Sequence, residues 1–428
     1  MSLLVSLLWV GLAGWIGLFL WIVRNARGYP MVAAPMDLNP RQRPRVSILI
    51  PARNEAKILA VTLPNILAQD YDDYEAILVD DASTDGTGEL AERLALSHPG
   101  RLRVLRVTEL PPGWVGKTHA LHQGFEAANG EWVLATDADI VFHPKALRAG
   151  LWLAEREQAD LVSIYAFLEC LSFWEKVLLP GFGLLLSAIF PVRKINNPRS
   201  SVALASGGYI LMRRSVWAGL GGYAAIRSEM IDDLNTARLV KHSGRRIYVA
   251  ATRDLVRTRM YSSFRGIWEG LRKNAFAAHR YSVAKMILTA SAYFVCNLLP
   301  LTCLVFYGWR WAASGVGLIA AERTILLLSL AQYAVSAGMH FPLMVYLRIH
   351  PAYALLAPLG AIFYSTISLD SMFRTLFGRG VSWKQRKYAN PRGSCGNIEN
   401  SPSNRKTDGS DTLLGVEESA SQINLLKP

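Results

Sequence analysis

Hydrophobic positions follow two different patterns along this chain. Residues 3–23 are apolar and uncharged, which is about the ~20 residues that a helix needs to cross a bilayer. Three further long apolar runs occupy residues 286–307, 325–347 and 352–369. The pattern predicts an N-terminal transmembrane anchor in residues 1–24 and about three transmembrane helices in a C-terminal region, residues 285–370.

Residues 45–284 instead alternate short apolar runs with amphipathic segments. This alternation predicts strands at residues 46–51, 74–79, 102–107 and 132–136, and helices at residues 58–69, 86–96 and 117–129. Strands that alternate with helices in this way form mostly parallel sheets with right-handed crossovers, so we predict a Rossmann-like α/β domain. Ligands of such sheets bind beyond the carboxyl ends of the strands.

One apolar stretch inside this domain, residues 177–192, is too short for an ordinary bilayer span. It follows Phe173 and Trp174, and Pro180 and Pro191 are expected to break it. We predict an interfacial or re-entrant element that lets a lipid reach the domain from the side. A plain core helix is the alternative.

Basic residues set the expected topology. Arg24 follows the first span, and no basic segment or cleavage site accompanies that span, so we expect a retained anchor that ends in the cytoplasm. Four complete spans would place Lys384, Arg386 and Lys387 outside, against the tendency of positive charge to stay inside. Either one C-terminal segment is re-entrant, or residues 316–321 contribute to another crossing.

Composition excludes several other classes of protein. The hydrophobic fraction of 51% and the mean hydropathy of +0.20 are high for a soluble enzyme. The net charge of +13 is dispersed and accompanies no nucleic-acid-binding module, so no nucleic-acid partner is predicted. The four cysteines form no Cys-x-x-Cys pair, which fits reduced thiols. Residues 371–390 predict a basic juxtamembrane segment, and residues 391–428 predict a disordered tail.

Acidic residues mark three places in the central block. Asp80 and Asp81 end the second predicted strand, and the triplet 137–139 (Asp-Ala-Asp) follows the strand at residues 132–136. Two carboxylates at i and i+2 can hold a hard divalent cation and leave its other positions to phosphate. The third place is Asp232 and Asp233. Turn or helix-start aspartates are the structural alternatives at these positions.

Four stretches together resemble the family 2 glycosyltransferases of the GT-A fold. They are residues 46–55 (VSILIPARNE), 79–87 (VDDASTDGT), 130–139 (GEWVLATDAD) and 231–234 (IDDL). In closer detail the chain resembles bacterial membrane-anchored members associated with hopanoid biosynthesis. That subgroup resemblance rests on residues 112–117 (PGWVGK), 205–214 (ASGGYILMRR) and 378–384 (GRGVSWK).

The resemblance implies roles for the acidic residues. Asp233 would be the general base that takes the proton of an acceptor hydroxyl, and Asp232 would support it or contact the acceptor. Such a base, opposite the leaving group, gives inversion in a single displacement. Asp139 would bind Mg²⁺ or Mn²⁺ at the diphosphate, and Asp137 would contact the ribose or a metal-bound water.

The remaining implied roles concern the donor and the acceptor. Donor binding is expected at Pro51, Arg53, Glu55, Asp80, Asp81, Lys117 and Asp137. Acceptor binding is expected at Gly207, Gly208, Arg265 and Trp268. An interfacial tryptophan is an equal alternative for Trp268. Processive members carry Gln-x-x-Arg-Trp here, and Ile267 replaces that arginine, which weakens the case for a polysaccharide synthase.

The chain is thus predicted to be an inverting, metal-dependent glycosyltransferase of the hexosyl or N-acetylhexosaminyl type. Its donor would be a nucleotide sugar, with a UDP-sugar first, and its acceptor a membrane lipid such as a hopanoid or another polyisoprenoid-derived lipid. We expect a multi-pass protein of the bacterial inner membrane with a cytoplasmic catalytic domain. A membrane polysaccharide synthase and a non-catalytic assembly factor that keeps the fold are the alternatives.

Overall fold

The structure is a computed structural model that describes residues 2–26, 28–34, 36–279, 281–314 and 317–377 and two short strands beyond them. The predicted tail lies outside the described residues. So do four residues of the stretch 378–384, whose remaining three form a strand.

The helices are α1 Ser2–Ala26, α2 Ala56–Leu67, α3 Thr87–Ser97, α4 Gly116–Ala127, α5 Ala146–Arg156, α6 Phe173–Ile189, α7 Val192–Ile195, α8 Arg214–Gly219, α9 Asp232–His242, α10 Phe264–Ala278, α11 Val283–Tyr293, α12 Leu299–Ser314, α13 Ala320–Tyr346 and α14 Ala357–Leu376. Shorter helical turns cover Gly222–Ile226, Phe294–Leu298 and Pro351–Leu356. The strands are β1 Val46–Ala52, β2 Tyr74–Asp81, β3 Leu102–Val107, β4 Trp132–Ala135, β5 Ile140–Phe142, β6 Leu161–Tyr165, β7 Phe167–Leu168, β8 Ile210–Arg213, β9 Ile247–Ala251, β10 Val256–Thr258, β11 Val381–Trp383 and β12 Arg386–Tyr388.

Seven strands form the main sheet in the order β3-β2-β1-β4-β8-β6-β9. β1 pairs in parallel with β2 and β4, while β8 runs antiparallel between β4 and β6. The predicted mostly parallel α/β fold is confirmed. Because β1, β2 and β4 point the same way, the residues that follow them meet at one edge of the sheet.

The strands at the centre of this sheet are buried on both faces. Along β1, Ile48 and Ile50 pack into one apolar cluster, whereas Leu49 packs into a second cluster on the opposite face. Successive side chains of a strand point to opposite faces, so one continuous apolar run supplies both cores. The buried sheet is therefore a rigid support for the polar residues at its edge.

Within the described part of the chain, five helical segments are long enough and apolar enough to cross a membrane. They are Ser2–Asn25, Phe173–Ile195, Val283–Ala313, Ala320–Tyr346 and Pro351–Leu376. Four of them coincide with the predicted anchor and the three C-terminal runs. The predicted break at Pro180 is wrong, because α6 continues through it and ends only at Ile189, before Pro191.

The sheet restricts what the second of these segments can do. α6 lies between β6 and β8 in the chain, and those two strands are hydrogen-bonded neighbours in one sheet. At the start of α6 the buried Glu175 pairs with Arg259 at 3.0 Å, and beyond its end the Ile195 carbonyl accepts from Lys241. Both ends of α6 therefore contact the domain, which favours the predicted interfacial or re-entrant element over a complete crossing.

Candidate active site

The loops after β1 and β2 are joined by hydrogen bonds. The guanidinium of Arg53 donates to the carbonyl oxygen of Asp81 at 2.6 Å, and the backbone N–H of Glu55 donates to Thr87 at 2.9 Å. Asn54 between them has a φ of 53°, a left-handed conformation that asparagine tolerates better than most residues. The predicted donor residues of the two loops thus lie on one surface that hydrogen bonds hold together.

Asp80 and Asp81 are both buried at the end of β2. The Asp80 carboxylate accepts from the Ser83 N–H at 3.1 Å and packs so closely on Gly88 that a Cβ there would lie 2.5 Å from its oxygen. Asp85, further along the loop, accepts from Thr87. Burial raises the pKa of Asp85, but the hydrogen bonds outweigh burial and hold this pKa below its usual value. Asp80 and Asp85 therefore shape the loop around Asp81.

Lys117 links two of the acidic places. Its ammonium group lies 2.6 Å from the Asp137 carboxylate and 3.1 Å from the Asp232 carboxylate, although 32% of its side-chain surface remains exposed. Burial would lower the pKa of Lys117, but Asp137, Asp232 and Asp233 outweigh burial and hold that pKa well above its usual range. The lysine is therefore a fixed cation between the strand edge and α9.

Asp233 lies in the first turn of α9, where the helix dipole favours a carboxylate. Its side chain accepts from the Leu234 N–H at 2.7 Å and from the Gly207 N–H at 3.2 Å. Burial and then the neighbouring Asp232 raise the pKa of Asp233 to about 6, while Lys117 acts in the opposite direction. A carboxylate with this pKa is a stronger base than an exposed aspartate.

The two adjacent glycines before β8 have different surroundings. A Cβ on Gly207 would lie 2.8 Å from the Asp137 carboxylate and 3.2 Å from the Lys117 ammonium. A Cβ on Gly208 would instead meet the apolar side chain of Ile140 at 2.9 Å. Gly207 therefore borders the charged cluster, whereas Gly208 packs into the domain.

Asp139 lies on the other side of the triplet, against the small sheet β5-β10-β7. Its carboxylate accepts from the Thr258 hydroxyl at 3.3 Å. Tyr261 lies nearby, and burial followed by Asp139 and Asp137 raises its pKa. No sequence motif marks Tyr261, so it was not predicted, and neither was Tyr165, the half-buried last residue of β6, which lies near Asp233.

The two predicted acceptor residues of α10 have partners outside the charged cluster, and their acceptor roles stay predictions. Arg265 is exposed on α10 and pairs with Glu269 at 2.9 Å. The indole N–H of Trp268 donates to Asp370 of α14 at 3.0 Å. The alternation of faces on the amphipathic helix α10 explains the difference, because one side of it meets solvent and the other packs on α14.

The acidic edge offers hard oxygen ligands to a metal. Among the described residues, no group of three or more His, Cys, Asp or Glu side chains is placed to hold an ion. Asp137 and Asp139 nevertheless fit Mg²⁺ or Mn²⁺, since such ions take one or two carboxylates and complete their shells with water and substrate phosphate. Asp137 also carries the Lys117 ion pair, and Asp139 accepts from the Thr258 hydroxyl.

Known proteins agree with this arrangement of fold and site. Residues 47–220 match the family model described as glycosyl transferase family 2. This region is thus similar to the family 2 glycosyltransferases. The match holds β2, β4 and β8 and all but the first residue of β1, whereas Asp232, Asp233 and β10 lie beyond it.

Two relatives and one solved structure show how far the similarity extends. The chain is 28% identical over 193 residues to EpsE of Bacillus subtilis, which is named as a glycosyltransferase, and this match covers 43% of the chain and 62% of EpsE. It is 35% identical over 121 residues to a PGL/p-HBAD biosynthesis glycosyltransferase of Mycobacterium tuberculosis, covering 28% of the chain and 45% of that relative. The chain thus spans less than two thirds of either relative.

The solved structure is a mannosyltransferase, PcManGT of Pyrobaculum calidifontis. It matches with a TM-score of 0.51 and 23% identity, covering 86% of this chain and 99% of the mannosyltransferase. At this identity the likeness concerns the fold, which is the GT-A fold expected from the sequence.

Proposed function

We propose that this protein is an inverting glycosyltransferase that moves a sugar from a nucleotide-sugar donor to a hydroxyl group of a membrane lipid. The observation that carries the proposal is the position of Asp233. It lies beside the Lys117 cluster that includes Asp137, and burial raises its pKa to about 6. One acidic edge thus offers both donor-side carboxylates and a base.

Asp233 would accept the proton of the acceptor hydroxyl while that oxygen attacks the anomeric carbon opposite the leaving nucleoside diphosphate. One such displacement inverts the configuration of the sugar. The Gly207 N–H and the start of α9 orient the carboxylate. The Lys117 ammonium lies 3.1 Å from the Asp232 carboxylate and so pairs the second negative charge that lies next to Asp233.

The donor would lie along the ends of β1, β2 and β4, with its base and ribose near Arg53 and Asp81. Asp137 and Asp139 would hold Mg²⁺ or Mn²⁺ at the diphosphate, and the bound ion would offset charge that develops on the leaving group. The mannosyltransferase that shares this fold was solved with GDP-Man and Mn²⁺, which are a donor and a metal of the same classes.

A lipid acceptor is supported by an aromatic cluster next to this edge. Phe264 of α10 packs in a tilted geometry on Trp174 of α6, with ring centroids 4.8 Å apart, and edge-to-face on Phe363 of α14, with centroids 5.4 Å apart. Tyr261, close to Asp139, packs against the same cluster. This apolar surface connects the acidic edge with the candidate membrane helices. The proposed acceptor is a hopanoid or another polyisoprenoid-derived lipid on the cytoplasmic face of a bacterial inner membrane, on the subgroup resemblance of residues 112–117, 205–214 and 378–384.

The test is transfer by the full-length protein in nanodiscs that contain a bacterial lipid extract, with a panel of nucleotide sugars and mass spectrometry of the lipids. A new glycolipid that forms with one donor and stops without divalent metal is the expected result. Release of soluble polysaccharide, or no product with any donor from a protein that binds nucleotide, would contradict the proposal.

Two variants separate the base from the metal ligand. Asp233→Asn removes the proton acceptor at almost constant size, so transfer should fall by roughly 100- to 10,000-fold while nucleotide affinity stays unchanged. Asp139→Ala should instead weaken metal-dependent nucleotide affinity, measured by calorimetry. If Asp232→Asn is inactive and Asp233→Asn is not, the base is the earlier residue.

A further inference from the structure

A polar pocket of about 410 Å³ lies beside β9, the edge strand of the main sheet. Its lining comes from the end of α1 and the segment that follows it, from α7 and the residues after it, and from β9. Asn25, Tyr29, Arg193, Asn197 and Tyr248 are among its lining residues.

The position of the pocket is that of a membrane surface. Asn25 is the last residue of the candidate span Ser2–Asn25. One turn earlier, the indole N–H of Trp21 donates to the Ala188 carbonyl at the end of α6, and the Lys194 ammonium lies 4.3 Å from the Trp21 ring. Tryptophan and lysine at the end of an apolar span are typical of the level of the lipid headgroups.

The pocket is also electropositive. The side chain of Arg193 lines the pocket, and its guanidinium donates to the Arg24 carbonyl at 3.4 Å. Behind Asn197, the Lys241 ammonium lies 2.8 Å from the Asn197 carbonyl oxygen. No carboxylate is among the lining residues.

The nearest acid is already neutralised. Glu157 interacts with Tyr248 on the outer side of β9. Its carboxylate also lies 3.5 Å from Arg156 and 3.8 Å from Arg246. Glu157 therefore does not offset the positive charge of Arg193 in the pocket.

From this we infer that the pocket between α1, α7 and β9 binds the phosphate headgroup of an anionic membrane phospholipid. Arg193 supplies positive charge in the pocket and Lys194 adds charge beside it at Trp21, while the amides of Asn25 and Asn197 and the hydroxyl of Tyr29 supply donors for phosphate and glycerol oxygens. The site would hold the domain at a fixed height on the bilayer, independently of the sugar-transfer reaction proposed above.

The test uses full-length protein in detergent, titrated with dioleoylphosphatidylglycerol or dioleoylphosphatidylcholine and followed by native mass spectrometry. We expect one tightly retained phosphatidylglycerol and weaker binding of phosphatidylcholine. Arg193→Gln should reduce the preference about fivefold, the factor that corresponds to ~1 kcal/mol for one cation at a membrane surface. Arg193→Lys should keep the preference, because it keeps the charge.

Arg245→Gln is the matched control, since Arg245 is exposed, precedes β9 and is not a lining residue. This control should bind like the wild type. Equal affinity for the two lipids, or equal losses in Arg193→Gln and Arg245→Gln, would overturn the inference. Inorganic phosphate that displaces the lipid at equal concentration would also overturn it and would assign the pocket to a soluble phosphate compound.

Discussion

At the scale of single residues, the site depends on how Lys117 distributes its charge. It faces Asp137 on the strand edge and Asp232 on α9, and it lowers the pKa that burial raises on Asp233. The acid–base behaviour of the proposed base is thus set by a residue that the sequence analysis had assigned to the donor. Lys117 thus contacts a carboxylate of the strand edge, Asp137, and a carboxylate of α9, Asp232.

The first prediction at this scale concerns pH. A general base acts in its deprotonated form, so single-turnover transfer should be constant at neutral pH and fall about tenfold per unit below the Asp233 pKa of about 6. Lys117→Gln should move this midpoint to higher pH, since the cation favours the carboxylate. Lys57→Gln, an exposed change on α2, should leave it in place. An unmoved midpoint in Lys117→Gln would separate Lys117 from the base.

Asp233 should also show a stability effect of opposite sign to its effect on rate. Its folded pKa is raised above the unfolded value, so the folded state loses stability as pH rises from about 4 through about 6. Asp233→Asn should therefore raise the melting temperature at pH 7.5, and the gain should shrink on acidification towards pH 4. A melting temperature that falls equally at both pH values would argue against a strained carboxylate.

Gly207 allows a steric prediction. The added methyl group of Gly207→Ala would lie 2.8 Å from the Asp137 carboxylate, closer than real contacts, and overpacking of this kind costs ~1–3 kcal/mol. The clash would displace the Asp137 carboxylate, and because misplacement of a binding group by ~1 Å can cost about 100-fold in rate, we expect a roughly 10- to 100-fold lower transfer rate. Gly219→Ala meets no atom within 4 Å and should be as active as the wild type. Circular dichroism should show that both variants fold.

At the scale of elements, the ends of Pro351–Leu376 bear on the topology. Its start touches the beginning of α6, where the Tyr353 ring lies 6.0 Å from the Phe173 ring. Towards its end, Asp370 pairs with Arg272 of α10 at 3.2 Å, and Met372 packs with Met286 at the start of α11. These partners all lie on the side of the domain, which favours a segment that does not cross.

We therefore expect the basic residues after α14 to lie on the same side as the domain, as the positive-inside tendency requires. A single cysteine at Lys387, in a chain whose four natural cysteines are replaced by serine, should resist a membrane-impermeant maleimide added to intact cells. A cysteine at Gly317, between α12 and α13, should react. Labelling of the cysteine at position 387 would instead show that Pro351–Leu376 crosses the membrane as a fourth span.

The sequence predicted elements better than it predicted contacts. The bounds of β1 to β4 and of the first helices agree with the predictions to within two residues, because each apolar run is bounded by polar residues or glycine. The antiparallel insertion of β8 and the ion pair of Lys117 with Asp232 could not be predicted, since both join segments far apart in the chain. Local patterns carry no information about such partners.

At the scale of the whole molecule, buried polar contacts join the domain to its apolar helices. Glu175 is fully buried at the start of α6, where it accepts from the Ser172 N–H and pairs with Arg259, which follows β10. Glu175→Ala should cost ~3–5 kcal/mol, because it leaves a largely buried arginine unpaired. Glu89→Ala, which breaks an exposed pair with Arg106, should have little effect on stability.

Thermal unfolding in detergent measures both changes. A melting temperature for Glu175→Ala close to that of Glu89→Ala would show that the buried pair does not couple α6 to the domain. Glu175→Gln keeps the size and part of the hydrogen bonding of the side chain, so its melting temperature should lie between those of Glu175→Ala and the wild type.

The place of β8 in the sheet has a consequence for biosynthesis. β4 is made before α6, but its neighbour β8 leaves the ribosome only after the whole of that apolar helix. The half-sheet β3-β2-β1-β4 can assemble early. Its β4 edge stays unpaired until α6 has been synthesised and β8 can add to it. Translation at the membrane surface provides a place for that apolar helix, so insertion of the chain and completion of its catalytic sheet become one event.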